Sequence, residues 1–208
     1  MLELACTLMP SLTATSKVYN PYIEPCKFAG FFYSKMYENS YPNKRFKHTL
    51  EFLNSHVTTN ETILDLGIEN PFSKIMIASG YKVVNTKGED LDEDISAVLN
   101  AKAEVVTAFE IFEHLLSPYT VLKAIKAKKL VASIPLRLWF SPAYKSKTDP
   151  WDRHYHEFED WQFDWLLEKT GWQIKARRKW TNPTNQIGLR PILRRFTNRY
   201  YIVYAERP

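Results

Sequence analysis

Glu61–Gly80, ETILDLGIENPFSKIMIASG, is the stretch that decides the fold. Ile63 and Leu64 close a short apolar run, Asp65 and Gly67 follow, and Asn70-Pro71 opens a second apolar segment that Gly80 stops. Asn is a favoured N-cap and Pro suits the first helical position, so the order reads strand, tight turn, helix. A helix that begins just past a strand end aims its unpaired N–H groups at whatever occupies the crevice there. In open α/β sheets that crevice is where nucleotide-like ligands bind. An ordinary strand–helix turn carries the same pattern, so the stretch speaks to architecture before it speaks to function.

Outward from this unit, Tyr81–Val84 reads as a second strand, Glu104–Phe109 (EVVTAF) as a third, and Leu130–Ile134 (LVASI), ended by Pro135, as a fourth. Phe46, Leu50, Leu53 and Val57 recur at helical spacing over residues 43–57. GEDLDEDISAVL (88–99) is an acidic turn running into a short helix, and Ser117-Pro118 opens a helix through Lys129 with Val121, Leu122 and Ile125 inward. After a polar and aromatic loop (136–157), Phe158, Trp161, Trp165 and Leu166 mark an amphipathic helix closed by Gly171. Trp172, Ile174 and Ala176 alternate in a strand, Tyr200–Ala205 is the last strand, and the basic excursion 181–198 between them shows no helix pattern. Strands alternating with helices imply a doubly wound, mostly parallel sheet, with the final pair antiparallel at one edge. Residues 1–42, rich in aromatics such as Tyr19, Phe28, Phe31 and Tyr37, are expected to form an arm or lid on a domain spanning 43–208.

Composition narrows the class. The chain has 208 residues, 45% hydrophobic and 25% charged, which suits one globular α/β domain. No run of about 18 apolar residues occurs, so no membrane span is expected. The opening MLELACTLMP lacks a basic n-region, and Cys6 and Cys26 make neither a disulfide framework nor zinc spacing, so a cytoplasmic setting is expected. The net charge of +5 is uneven: from Gly171 onward there are nine basic residues and one acid. Such a face suits phosphate, nucleic acid or an acidic substrate, although two solvated terminal strands would look the same.

The run VVTAFEIFEHLLSPYTVLKAI (105–125) resembles the segment of class I S-adenosylmethionine-dependent methyltransferases in which a strand ends in an E-x-x-E-H turn. ILDLG (63–67), VASIP (131–135) and His156-Glu157-Phe158 followed by Leu166, Leu167 and Gly171-Trp172 agree with it, and the pattern looks most like the ubiquinone-biosynthesis O-methyltransferases. The resemblance covers about residues 60 to 180. It implies a Rossmann-like sheet of seven strands with the last antiparallel, and S-adenosyl-L-methionine lying across the carboxyl ends of the first, second and fourth family strands. The chain departs from the family where Glu69 and Pro71 replace two customary glycines, and where the span after the second strand is short.

Roles follow from that resemblance. Asp65 would fix the loop and the cofactor's amino group, Gly67 would let backbone approach the cofactor, and Glu69 would pair with its amino group. Asp90, with Glu89 second, would take the ribose hydroxyls, and Phe109 and Glu110 would reach cofactor or substrate from the strand tip. His114 is the expected base for a hydroxyl acceptor, Glu113 its orienting carboxylate, and His156 in DRHYHEF, with His154, closes over the substrate. Glu110, Glu113 and His114 also offer hard ligands, but three residues on one turn seldom complete a metal site, and no metal is expected. The expected activity is methyl transfer to an oxygen or nitrogen of a small-molecule acceptor. Two alternatives stand beside it: a binding protein on the same scaffold without cofactor, and an RNA or protein methyltransferase using the basic C-terminal region, with nucleic acid the less favoured partner.

Overall fold

The computed structural model describes residues 43–149 and 152–208. The aromatic arm expected for 1–42 lies outside the described residues. The elements in chain order are α1 (Asn43–Asn54), β1 (Thr62–Asp65), α2 (Pro71–Ala78), β2 (Lys82–Asn85), α3 (Ser96–Leu99), β3 (Val105–Phe109), a 3-10 turn (Phe112–His114), α4 (Pro118–Ala124), β4 (Lys129–Pro135), α5 (Asp160–Lys169), β5 (Gln173–Thr181), α6 (Leu189–Phe196) and β6 (Asn198–Glu206).

Side-chain parity along the strands builds the layers. Successive strand residues point to opposite faces, so in β3 Val106 and Ala108 enter one core while Val105 enters the other. In β4, Leu130, Ala132 and Ile134 oppose Val131; in β6, Tyr201, Val203 and Ala205 oppose Ile202 and Tyr204. Helices α4 and α5 cover the first face through Val121, Leu122, Phe163 and Leu167, and α1 and α2 cover the second through Phe46, Phe52, Leu53, Phe72 and Met76. Each such side chain contributes roughly 1.5–3 kcal/mol on full burial. Arg207 closes the first face from the far end. Its guanidinium lies 4.4 Å over the Trp172 ring and donates to the carbonyl oxygens of Leu122, Ile125 and Thr170, near the ends of α4 and α5 where backbone acceptors lack helical partners.

The sheet order is β2-β1-β3-β4-β6-β5. Strands β2, β1, β3 and β4 run parallel, and β6 runs antiparallel between β4 and β5. The expected architecture therefore holds, with six strands among the described residues rather than seven. The physical reason is length: between β2 and β3 the chain makes an acidic turn and the single-turn helix α3, which leaves no room for a further strand. Two local expectations also change. α4 stops at Ala124, four residues before β4, and α6 forms within the basic excursion.

Candidate functional site

Because β1, β2 and β3 are parallel neighbours, their carboxyl ends share one edge, and the chain reverses its winding between β1 and β3. That reversal opens the crevice used for ligands in such sheets. Asp65 ends β1 at this edge. The carboxylate is buried and accepts from Thr107 Oγ1 at 2.7 Å, Ser73 Oγ at 2.9 Å and Asn85 Nδ2 at 3.0 Å. One residue thus joins β1, β2, β3 and α2. Burial pushes its carboxyl up to about 6 against the pull of those three donors. The part of its expected role that geometry supports is the fixing of the loop, since protein donors already surround it.

Gly67 turns with φ +106, a conformation that favours glycine, and a Cβ there would press on Ile111 Cδ1 at 3.3 Å. Its N–H donates to Thr86 Oγ1 at 2.8 Å. The α2 N-terminus is tightly capped: Asn70 Oδ1 accepts from the Phe72 and Ser73 N–H groups, and Ser73 Oγ accepts from the Asn70 N–H. Pro71 occupies the position that needs no donor. The free helix donors expected here are therefore largely taken up by Asn70. Glu69 is exposed and lies 3.7 Å from Lys74 Nζ.

Asp90 is exposed and caps the turn before α3 by accepting from the Asp92 N–H. Glu89 accepts from the Lys87 N–H. Asp92, which sequence reasoning left aside, is the carboxylate with a long-range task. Its two oxygens accept from the Leu116 and Ser117 N–H groups at 2.7 and 2.8 Å, tying this loop to the start of α4. The signal available for it was an acid opposite a Ser-Pro helix start.

The other wall follows β3. Phe109 is half-buried with its ring edge-on to Phe72 at 5.2 Å. Glu110 holds the left-handed conformation at φ 58, which costs about 1–3 kcal/mol for such a residue and marks a place where tertiary contacts dictate the backbone. Those contacts are the Ser133 hydroxyl to Oε1 at 2.8 Å, the Glu110 N–H to the Ser133 carbonyl at 3.0 Å, and Arg45, 3.7 Å from Oε2. The turn presents Glu113 inward and His114 at the rim. Glu113 is buried, its Oε2 is without a hydrogen-bond partner among the described residues, and burial followed by the neighbouring Glu110 charge raises its carboxyl well above the usual range. His114 Nδ1 lies 2.9 Å from the Arg153 carbonyl oxygen. A carbonyl only accepts, so Nδ1 carries the proton in that contact and the neutral ring has its lone pair on Nε2, 3.8 Å from Glu113 Oε1.

The loop after β4 returns His154, rather than His156, to this cluster. The rings of His114 and His154 meet edge-on at 4.7 Å. His156 stacks on Phe158 at 5.3 Å and points Nε2 toward the Leu116 carbonyl, 3.4 Å away, which is a loop-holding position. The backbone carbonyl of Glu113 accepts from Tyr155 and His156, so this loop is pinned onto the turn. Ligand atoms of Glu113, His114 and His154 all lie within 4.8 Å of one another, a donor set that suits a divalent ion as well as a proton. The set of Glu110, Glu113 and His114 considered from sequence lacked the residue that matters, since His154 comes from 40 positions along the chain from His114.

Burial, then His114, then Arg199 push the His154 imidazole down to about 4. A group with a lowered folded pKa contributes stability above its unfolded value, and that contribution is lost as pH falls from 6.5 toward 4. The expected result is a His154 ring resonance in heteronuclear NMR that holds its neutral shift down to about pH 5 and moves near 4; a midpoint near 6.5 would refute the buried placement.

The basic C-terminal region is partly occupied internally. Arg177 pairs with Asp164 at 3.0 Å, Arg178 lies 3.4 Å from Glu51, Lys179 pairs with Asp160, and Arg207 holds the helix ends.

No family profile matches the chain and no curated protein matches it in sequence. Solved structures do resemble it. A Haloferax volcanii protein assigned as a methyltransferase, in complex with the Trm112 methyltransferase activator, aligns at 12% identity with TM-score 0.60 over 89% of this chain and 98% of its own. A protein from Listeria monocytogenes assigned as an S-adenosylmethionine-dependent methyltransferase aligns at 13% and 0.53 over 77% and 98%. The [4+2]-cyclase SpnF aligns at 12% and 0.52 over 81% and 84%. At these identities the likeness is one of architecture: the chain has the fold of the class I S-adenosylmethionine-dependent methyltransferases.

Proposed function

We propose that this protein transfers a methyl group from S-adenosylmethionine to an oxygen or nitrogen of a small-molecule acceptor, in the crevice between the Gly67 turn and the Glu110–His114 turn. The observation that carries the reading is the pairing of those two turns across the switch point, one a positive-φ glycine after β1, the other a left-handed glutamate leading into a buried carboxyl and two histidines after β3. The cofactor would supply an activated methyl together with its own leaving group. What remains for the chain is alignment, exclusion of water and movement of one proton. Gly67, Phe109 and Glu110 border the crevice and would contact the cofactor. Asp65, Asn70 and Asp92 are positioning residues that hold its loops. His114 Nε2, with its lone pair fixed by the Nδ1 contact, takes the acceptor's proton, and Glu113 and His154 set its surroundings.

The carboxylates of Glu110 and Glu113 stand beside His114 on the acceptor side, which favours a neutral hydroxyl over a phosphate-rich polymer. The internal pairing of Arg177, Arg178 and Lys179 reduces the surface left for RNA.

A second reading has its own support. The donors of the α2 N-terminus and the Asp65 carboxylate are already occupied by the protein, as they would be in a scaffold that has given up its cofactor. SpnF shows that this architecture also serves proteins named for other chemistry. Calorimetric titration with S-adenosylhomocysteine separates the two. Saturable heat at micromolar ligand is expected; no heat at millimolar ligand removes methyl transfer and leaves the scaffold.

A further inference from the structure

Helix α6 turns its apolar side to water. Leu189, Ile192, Leu193 and Phe196 fall on one side of the helix, and Arg190, Arg194 and Arg195 take the rest of its circumference. On a soluble domain such a stripe packs on the core. Here Leu189, Ile192 and Phe196 are 73%, 51% and 81% exposed, the preceding Ile187 is fully exposed, and no residue of the helix is buried. Leu193 is half-buried, Arg190 and Arg195 are exposed beside the apolar stripe, and two arginines also touch the body. Arg190 donates to Ser141 Oγ at 2.5 Å, and Arg194 borders a small hollow with Leu138, Glu157 and Arg199. The same contact brings the turn of Trp139, 72% exposed, alongside the helix.

We infer that α6, with Ile187 and Trp139, is an interfacial anchor that seats this protein on an anionic lipid bilayer. Three features of the surface select that partner. Residues 182–198 carry three arginines and no acid, which complements anionic headgroups. The outward side chains are aliphatic and phenyl groups with no polar tip, suited to the acyl boundary; an RNA surface would call for arginines outward and stacking platforms. Trp139 is exposed on the turn that Arg190 reaches through Ser141, and offers an indole suited to the headgroup level. No described helix is long and apolar enough to cross a membrane, so the contact is one of lying on the surface. The inference stands independently of methyl transfer.

The test is co-sedimentation of the full chain with vesicles of phosphatidylcholine, with and without phosphatidylglycerol. Binding is expected only with phosphatidylglycerol, weakening about tenfold or more between low and high salt as the arginine contribution is screened. Ile192→Asp with Phe196→Asp should cut partitioning by about 100-fold or more, since each change removes an inserted side chain. Arg195→Glu should weaken it about tenfold or more, since it removes one favourable charge and adds a repelled one. Unchanged thermal melting of these surface variants shows that the fold is intact. Absence of binding to phosphatidylglycerol vesicles at low salt overturns the inference. So does equal binding by the double variant. Concentration-dependent dimerisation abolished by Phe196→Asp, without vesicle binding, also overturns it and assigns the face to a second copy.

Discussion

Asp65→Ala lowers the unfolding free energy by about 3–5 kcal/mol, the expected result for leaving a hydroxyl on β3, a hydroxyl on α2 and an amide on β2 facing an apolar cavity. The three donors come from three elements, so the loss loosens the edge where the crevice opens, and ligand binding falls with stability. Asp65→Asn keeps the volume and costs less, because rotating hydroxyls accept where they formerly donated. The isosteric variant also isolates a pH effect. The Asp65 carboxyl is raised to about 6 from 3.8, so between those values the folded state holds more protons than the unfolded one. This group's contribution is fully present below 3.8 and declines as pH rises through 6. Glu113 acts in the same direction and His154 in the opposite one. Urea denaturation of the wild type and Asp65→Asn across pH 4 to 7 therefore gives a difference that belongs to Asp65: the wild type loses ground relative to the variant as pH rises. A difference that does not change with pH would sink the assignment.

His114→Ala should reduce methyl transfer to a hydroxyl acceptor by roughly 10²–10⁴-fold, the usual contribution of a positioned base. The ring is about a third exposed at the rim, so melting should change little and the loss should appear in kcat more than in KM. Glu113→Gln preserves shape, keeps a buried polar group and alters the charge that the cluster can adopt. Its effect is expected to be smaller if Glu113 only orients the ring, and equal to that of His114→Ala if both bind one ion. Glu113 Oε2, without a hydrogen-bond partner among the described residues, makes this comparison informative, because a carboxylate oxygen of Glu113 and both imidazoles lie close enough together to hold one divalent ion. Treatment with a chelator, followed by Mn²⁺, decides between them. Full activity after chelation leaves His114 as base; loss with recovery on adding the ion converts His114 and His154 to ligands.

The architecture was legible because it rests on periodicity. Short apolar runs at 62–66, 104–109 and 130–134 and the Asn70-Pro71 start are local signals that hydrogen bonding converts directly into β1, β3, β4 and α2. What the sequence hid was tertiary. Trp161 and Trp165 look like a core stripe, yet they lie exposed while Phe163 and Leu167 face inward, because the helix rotates to bury the pair that fits against Phe112 and Phe158. The helix α6 escaped notice since Gly188 and Pro191 sit where breakers usually end a helix, although Pro in the first turn is tolerated. At the site, Glu113 and His114 were legible as neighbours in the E-x-x-E-H turn. His154 and Asp92 were not, because their partners lie tens of residues away and no spacing rule links a loop to the turn it will touch.

β2 ends the sheet, and its outer backbone groups face no further strand among the described residues. A rim of this kind ordinarily invites another polypeptide to continue the ladder. Here it is only four residues long and begins with a lysine, so an incoming chain would gain few backbone bonds and would have to crowd a solvated ammonium. That shortness makes the rim a poor seed for assembly, and protects the protein from its own unfinished border.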